Sequence, residues 1–220
     1  MYTYSEENYV KAIYKLSGEK NEGITTNAIA RYLSTKASSV TGMIKKLAGK
    51  KLVAYRRYRG VTLTSDGKAL AVSVIRKHRL WESFLSRYLG FKWEEVHEVA
   101  EELEHIKSDL LTERLDQFMN SPCTDPHGDP IPDKSGNFPG MKSISLIQIS
   151  PHIKCVVIGV TDETTEFLSY LNKVGIKLGT AIEVMEWHTF DHSAAIKIDE
   201  NSIVNLSHQV IKNLLIRRKA

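Results

Sequence analysis

Four side chains between residues 97 and 105 combine the two ligand types that divalent transition metals take from proteins. They are His97, Glu101, Glu104 and His105, and their i, i+4, i+7, i+8 spacing predicts that all four lie on one helical face. Carboxylates gathered in this way repel one another unless a cation lies among them, and mixed oxygen and nitrogen ligands suit a transition metal. A solvated acidic face without any ion fits the same four residues.

Two predicted helices carry the candidate ligands. The first runs from Asp66 to about Leu89 and presents His78 and Glu82 at i and i+4, a pair that could hold a metal from one helical face or form a surface ion pair. The second covers residues 94–108, has no Gly or Pro, and repeats its apolar residues with a helical period.

Composition indicates an ordinary globular protein, with 42% apolar and 25% charged residues. No apolar run approaches the roughly 18 residues of a membrane span, and the first ten residues do not resemble a secretory signal. Two cysteines, Cys123 and Cys155, are too few for a disulfide framework. We therefore expect a cytoplasmic protein with no membrane association.

Charge is unevenly distributed along the chain. Residues 1–60 hold twelve Lys and Arg against four acidic residues, whereas residues 91–120 hold nine acidic residues against three basic ones. A basic head predicts a polyanionic partner, and an acidic middle region predicts a cation.

The basic head has the order of elements of a winged helix-turn-helix. A helix capped by Ser5 comes first, followed by a short helix capped by Thr26, a helix over residues 38–48, and two strands over residues 52–58 and 61–63.

Small and basic residues on the second helix of the motif and on the wing predict DNA contacts. Hydroxyls and a glycine let the backbone approach DNA closely, while lysines and arginines meet phosphates. A winged helix used for protein contacts is the alternative. The predicted DNA-binding residues are Thr26, Lys36, Ser38, Ser39, Thr41, Gly42, Lys45, Lys46, Arg56, Arg57 and Arg59.

The last third of the chain changes to short β-type runs after a proline-rich segment over residues 122–141. Strands are predicted at residues 144–149, 155–160, 181–187 and 194–198, with helices at 165–173 and 208–216. His188 and His192 are expected in exposed turns rather than in a metal site.

Four segments resemble the diphtheria toxin repressor family of metal-activated bacterial regulators. They are EENYVKAIYKL, SSVTGMIKKLAGKKLVAYRRYRGVTLTSDG, RKHRLWESFL and EVAEELEHIKSD, and the resemblance extends over nearly the whole chain. It implies a mainly α fold with small β parts, in which an SH3-like β-barrel follows the winged helix and a helical dimerisation domain. The corresponding divisions are residues 1–64 for DNA binding, 65–121 for metal binding and dimerisation, 122–141 as linker and 142–220 for the barrel.

The resemblance also implies a homodimer with two metal sites per subunit. The primary site corresponds to Asn8, Glu101, Glu104 and His105. The ancillary site corresponds to His78, Glu82 and His97, with two further ligands at Glu163 and Glu166.

Three positions depart from the family pattern in ways that affect the metal. Asn8 stands where manganese regulators usually have Asp and iron regulators Met, so either Asn8 or Glu7 completes the primary site. Lys11 replaces an acid that some manganese regulators use, which argues against a closely spaced binuclear site. Glu101 stands where iron regulators have Cys, and oxygen ligands favour Mn²⁺, with Fe²⁺ as the alternative.

The proline-rich loop contains Asp125 and His127 in a segment that resembles a family loop where Cys often precedes Pro-His. These two residues either reach the ancillary metal or belong to a rigid turn set by Pro and Gly.

Together these observations predict a metal-activated repressor of metal homeostasis that binds a palindromic double-stranded DNA operator. In the predicted mechanism a cation ties the first helix to the acidic helix and so sets the spacing of the two DNA-binding heads. A metal-independent winged-helix regulator is the competing interpretation. The sequence shows neither a Ser-His-Asp nor a Cys-His pattern, so catalysis is not predicted.

Overall fold

The computed structural model describes residues 2–18, 21–56, 59–140, 143–199 and 202–219. The chain divides into two compact units. Unit 1 comprises residues 1–78, 101–112 and 132–137, and unit 2 comprises residues 79–100, 113–131 and 138–220. Arg57, one of the predicted DNA-binding residues, lies outside the described residues.

Unit 1 begins with helix α1 (Tyr4–Ser17). Thr3 and Glu6 form a capping box in which the Thr3 hydroxyl accepts from Glu6 N and the Glu6 carboxylate accepts from Thr3 N. The predicted cap at Ser5 is therefore wrong, because Ser5 lies inside the first turn.

The helix-turn-helix consists of α2 (Thr26–Tyr32) and α3 (Ala37–Gly49). Thr25 rather than Thr26 caps α2, through its hydroxyl and Ala28 N. Helices α1, α2 and α3 share a core with the wing. That core includes Val10, Ile13, Ile29, Val40, Ile44 and Leu47.

The wing is an antiparallel pair, β1 (Val53–Arg56) and β2 (Gly60–Leu63). An isolated bridge joins Ile24 to Val61 beside it. Gly60 has a φ of +81°, and a Cβ there would lie 2.6 Å from the Ile24 carbonyl oxygen. Only glycine therefore fits at the start of β2.

Three further helices follow, α4 (Ser65–Leu89), α5 (Val96–Leu103) and α6 (Asp109–Phe118). Helix α5 is shorter than predicted and ends before Glu104, where Ile106 N donates to Leu103 O in a turn. The prediction that four candidate ligands share one helical face is therefore wrong, since Glu104 and His105 lie beyond the helix.

Unit 2 contains a six-stranded antiparallel sheet in the order β3-β8-β4-β5-β6-β7. Its strands are β3 (Ile144–Ser145), β4 (Lys154–Val160), β5 (Ala181–Trp187), β6 (Ala194–Ile198), β7 (Ser202–Leu206) and β8 (Leu214–Arg218). A 3-10 turn (Leu146–Gln148), α7 (Thr165–Lys173) and α8 (His208–Lys212) complete it.

Three features of this region differ from the sequence prediction. The strand predicted at residues 144–149 is only two residues long, because a 3-10 turn follows it at residues 146–148. Strand β7 was not predicted, and the segment 214–216 pairs as part of β8 with β3 and β4 instead of continuing a helix. The mainly α fold with a winged helix-turn-helix, a helical region and a small C-terminal barrel-like sheet is confirmed. Among the described residues, no helix has the length and apolar character of a membrane span.

Candidate metal centres

Glu82 is the centre of a polar cluster in unit 2. Its Oε1 lies 3.3 Å from His97 Nδ1 and 3.7 Å from His127 Nδ1. Glu82, Asp125 and His127 each offer a ligand atom within 4.8 Å of the others, and all three are buried. Glu163 lies at the margin, with Oε2 4.0 Å from His97 Nδ1.

A tight turn in the proline-rich segment positions Asp125 and His127. Asp125 Oδ1 accepts from His127 N at 2.8 Å and from Asp129 N at 2.9 Å. Val160 N donates to His127 O at 3.0 Å, and Gly128, with φ +89°, packs against the β4 backbone where a Cβ would meet Ile158 O at 1.9 Å. The segment is therefore both a rigid turn and a source of cluster residues.

His127 presents one ring nitrogen to the cluster in a fixed orientation. Its Nε2 lies 2.7 Å from Trp93 O, and because a carbonyl only accepts, this nitrogen carries a proton. Nδ1 is buried without a hydrogen-bond partner among the described residues. A carbonyl that fixes one nitrogen while the other faces carboxylates is typical of a metal-ligating histidine.

Several carboxylates crowd this cluster, and the Arg79 guanidinium contacts one of them, with Nε 3.6 Å from Asp125 Oδ2. Burial raises the pKa of Asp125 well above its ordinary value, and the charges of Glu82 and Asp129 raise it further against Arg79 and His127. Burial lowers the pKa of His127, but the Glu82 carboxylate outweighs this effect and raises it to about 9. In the absence of an ion, the protonated form of Asp125 is therefore favoured, and positive charge comes from Arg79 and His127.

The residues of the Glu82 cluster thus fit a divalent transition metal, because they combine carboxylate oxygens with imidazole nitrogens and leave a buried nitrogen without a partner. Of the predicted ancillary ligands, Glu82, His97, Glu163 and His127 are brought together. Glu166 is exposed in the first turn of α7.

A second buried cluster lies in unit 1 around Glu104. Its Oε2 lies 2.5 Å from Lys11 Nζ and 2.6 Å from His78 Nδ1. Burial raises the pKa of Glu104, but the hydrogen bond with His78 and the charge of Lys11 outweigh burial, so the pKa lies below its ordinary value. His78, predicted for the ancillary site, thus contacts Glu104.

His105 completes this second cluster together with the start of α1. Its Nδ1 lies 2.6 Å from Glu7 Oε2, its Nε2 lies 3.7 Å from Glu104 Oε1, and its ring stacks on Tyr4 with centroids 4.5 Å apart. Asn8 is exposed.

The Glu104 cluster fits a metal poorly, because an ammonium group already contacts its carboxylates. Lys11 Nζ also lies 3.8 Å from Glu101 Oε1, although the Glu101 side chain is 56% exposed. The primary site of Asn8, Glu101, Glu104 and His105 stays a prediction. No charge-balancing role was predicted for Lys11, because its partner Glu104 lies far away along the chain.

The predicted DNA-binding residues of α3 form an exposed surface. Lys36, Ser38, Ser39, Thr41, Gly42, Lys45 and Lys46 are all exposed, as are Arg56 and Arg59 on the wing, while Thr26 is half-buried. Lys46 Nζ lies 3.1 Å from buried Glu6, which also contacts Lys50. Burial alone would raise the pKa of Glu6. Hydrogen bonds with Lys50, the Thr3 backbone and Lys46 outweigh burial and lower this pKa to about 2.

Family models cover most of the chain. The N-terminal DNA-binding domain of iron-dependent repressors matches residues 1–61, the metal-binding and dimerisation domain of the same proteins matches residues 64–133, and the FeoA domain matches residues 144–218.

Three relatives match different shares of this chain. The iron-dependent repressor IdeR of Mycobacterium tuberculosis is 35% identical over 66% of this chain and 64% of its own length, so the match spans slightly less than two thirds of that relative. An HTH-type transcriptional regulator of Methanocaldococcus jannaschii is 40% identical over 52% of this chain and 92% of its own length. The diphtheria toxin repressor of Corynebacterium diphtheriae is 28% identical over 82% of this chain and 84% of its own length.

Solved structures resemble the whole fold. A manganese-dependent transcriptional repressor in complex with manganese superposes with a TM-score of 0.86 and 31% identity, covering 97% of this chain and all of that one. The manganese regulator SloR superposes with a TM-score of 0.78 and 34% identity, covering 97% and 98%. This chain belongs to the diphtheria toxin repressor family of metal-dependent transcriptional repressors.

Proposed function

We propose that this chain is a metal-activated transcriptional repressor that binds DNA as a homodimer and controls metal homeostasis. The Glu82 cluster carries the proposal, because its buried carboxylates and the unpartnered Nδ1 of His127 suit a divalent ion. Relatives named as iron-dependent and manganese-dependent repressors support the same function.

We propose Mn²⁺ as the metal. The cluster residues are Glu82, Asp125, Glu163, His97 and His127, and Asp125 stands where related loops often have Cys. Oxygen-rich ligand sets suit manganese better than metals that prefer sulfur. Fe²⁺ is the second candidate, because it also accepts oxygen and imidazole ligands and because relatives are named iron-dependent repressors.

Each residue of the cluster has a definite part in holding the ion. When bound, the ion supplies positive charge among side chains from α4, α5, the 125–129 turn and the segment before α7. Glu82 would supply one negative charge from the centre, and His127, oriented by Trp93 O, would offer Nδ1. His97 and Glu163 close the more exposed side.

DNA binding is proposed for α3 and the wing. Their exposed lysines and arginines would neutralise about five phosphates in each subunit, which predicts a log–log salt slope of roughly −4.5 per subunit. The hydroxyls of Ser38, Ser39 and Thr41 lie at the start of α3, where the backbone can come close to base edges.

We propose a homodimer because aromatic side chains of unit 2 are exposed together. They lie within residues 64–133, which match the metal-binding and dimerisation domain of iron-dependent repressors. Phe84 contacts Trp81, Tyr88 and Phe118 in one cluster. Phe118 is 60% exposed and Tyr88 47% exposed, which is unusual for neighbouring aromatic side chains in a monomer. A two-fold dimer would read a palindromic operator.

The test is DNA binding by the purified full-length protein with chelator and with added Mn²⁺. We expect Mn²⁺ to increase the affinity for the operator, and we expect Glu82→Gln to remove this increase. The matched control Glu186→Gln, at an exposed carboxylate on β5, should keep it. Equal affinity with and without chelator would instead indicate a metal-independent regulator.

The identity of the metal is tested by anaerobic titration of DNA binding with Mn²⁺ and with Fe²⁺. We expect half-maximal binding at lower free Mn²⁺ than free Fe²⁺. The reverse order would assign the protein to iron.

A further inference from the structure

We propose that Lys11 is a built-in cation of unit 1. Its ammonium group takes the position beside Glu104 that a metal ion would need, so that this chain binds divalent metal at the Glu82 cluster alone. The proposal rests in part on the proposed function, because it assumes that the Glu82 cluster binds metal.

The surroundings of Lys11 are those of a fixed counter-ion rather than of a surface lysine. Lys11 is only 6% exposed on α1. An ammonium group can be buried to this extent only where carboxylates oppose its charge. Glu104 does so at 2.5 Å and Glu101 at 3.8 Å.

The ligand atoms that a metal would need are already engaged. Glu104 Oε2 contacts both Lys11 Nζ and His78 Nδ1, and His105 Nδ1 contacts Glu7 Oε2 at 2.6 Å. A divalent ion on Glu104 would lie within a few ångströms of the ammonium group, and like charges repel strongly in buried surroundings. Lys11 therefore excludes the ion both by position and by charge.

The cluster also attaches α1 to the segment after α5 without any ion. Glu7 holds His105, Tyr4 stacks on the same ring, and Lys107 Nζ donates to Tyr2 O at 2.8 Å. Helix α1 in turn packs on α2 and α3 through the core of the DNA-binding domain. The predicted mechanism, in which a cation ties α1 to the acidic helix, is thus fulfilled by a lysine, and the response to metal begins in unit 2.

The test is the number of Mn²⁺ ions bound per chain, measured by equilibrium dialysis of the full-length protein and elemental analysis. We expect one ion for the wild-type chain, none for Glu82→Gln and one for Glu104→Gln. Two ions bound by the wild-type chain, or an ion lost specifically in Glu104→Gln, would overturn the proposal.

Lys11→Glu provides the complementary gain of binding. It removes the cation and adds a carboxylate beside Glu104, Glu101 and His105, so we expect two ions per chain. Lys68→Glu is the matched control, because Lys68 is an exposed lysine on α4 in the same unit and the change in charge is the same. This control should bind one ion. If Lys11→Glu fails to fold, the counts for the wild-type chain and for Glu104→Gln still decide the question.

Failure of the proposed function gives a different pattern. A wild-type chain that binds no Mn²⁺ would contradict the metal site at Glu82. The comparison of Lys11→Glu with Lys68→Glu would then decide the role of Lys11, since an ion gained only by Lys11→Glu supports it and no gain overturns it.

Discussion

The two buried clusters of this protein use similar residues but balance their charge differently. In unit 1, Glu104 is surrounded by His78, His105 and the ammonium group of Lys11. In unit 2, Glu82 is surrounded by His97, His127 and a second buried carboxylate, Asp125. In the Glu104 cluster the ammonium group of Lys11 lies directly against the central carboxylate, whereas in the Glu82 cluster two buried carboxylates come together and the fixed cation, Arg79, lies 3.6 Å from Asp125.

The comparison shows that ligand types alone do not define a metal site. A glutamate with two histidines occurs in both clusters, and the difference lies in the residue that opposes the glutamate. His78 and Lys11 outweigh burial and lower the pKa of Glu104, while burial and the neighbouring carboxylates raise the pKa of Asp125. We therefore propose a divalent cation for the second arrangement only.

The largest effect is expected from Lys11→Met, which removes the internal cation and leaves Glu104 buried beside Glu101. Breaking a buried ion pair by removing one partner costs roughly 3–5 kcal/mol, so the free energy of unfolding in urea, measured without metal, should fall by that amount. Lys68→Met, at an exposed position, should change it by less than about 0.5 kcal/mol.

A double variant sharpens the same prediction. Adding Glu104→Gln to Lys11→Met removes the uncompensated charge, so part of the lost stability should return. A loss below about 1 kcal/mol for Lys11→Met alone would show that the ammonium group does not hold unit 1 together.

Glu82→Gln should weaken Mn²⁺ binding at least about 100-fold, which corresponds to roughly 2.7 kcal/mol. Calorimetric titration measures the affinity directly. Glu104→Gln is the matching change in the other cluster, and it should leave the Mn²⁺ affinity within a few-fold of the wild-type value. Similar losses in both variants would break the distinction between the clusters.

Glu6 tests a third arrangement, in which a buried carboxylate meets exposed lysines. Glu6→Gln should cost about 1–2 kcal/mol at pH 7, less than Lys11→Met, because solvent screens Lys46 and Lys50. The pKa of Glu6 is lowered from 4.5 to about 2, so this stability is fully present above pH 4.5 and is lost as the pH falls towards 2. The free energies of unfolding in urea of the wild-type chain and of Glu6→Gln should converge as the pH falls from 7 to 3. A constant difference between them would contradict the assignment.

The smallest effect is expected for single lysines of α3. Lys45→Ala should weaken binding to all DNA sequences alike and reduce the log–log salt slope by about 0.9. Lys46→Ala should reduce it less, because Lys46 is shared with Glu6. Equal changes in slope would mean that Lys46 leaves Glu6 when DNA binds.

Much of the fold could be predicted from local patterns. The helix-turn-helix, the wing and the long helix α4 follow from apolar periodicity and capping residues. The end of α5 could not be predicted, because no Gly or Pro marks it and contacts with α1 engage Glu104 and His105 beyond it. Strand β8 was missed because its apolar run suits a helix equally well, and pairing with β3 and β4 decides the outcome.

The candidate ligands were predicted more fully than their grouping. Family positions pointed to Glu82, His97 and Glu163, and the turn at Asp125 and His127 was left open between two interpretations. The opposing charge on Glu104 was missed, because a lysine on α1 meets a residue more than ninety positions away. Local spacing cannot show which distant charge closes a cluster.

The position of β8 in the sheet has a consequence for biosynthesis. This strand lies between β3 and β4, with Ile216 opposite both Ile144 and Val157. During translation, β3 and β4 therefore emerge long before the strand that joins them, and the sheet stays incomplete until residues 214–218 leave the ribosome. We expect nascent chains stalled before this segment to expose the interior of the sheet and to recruit chaperones.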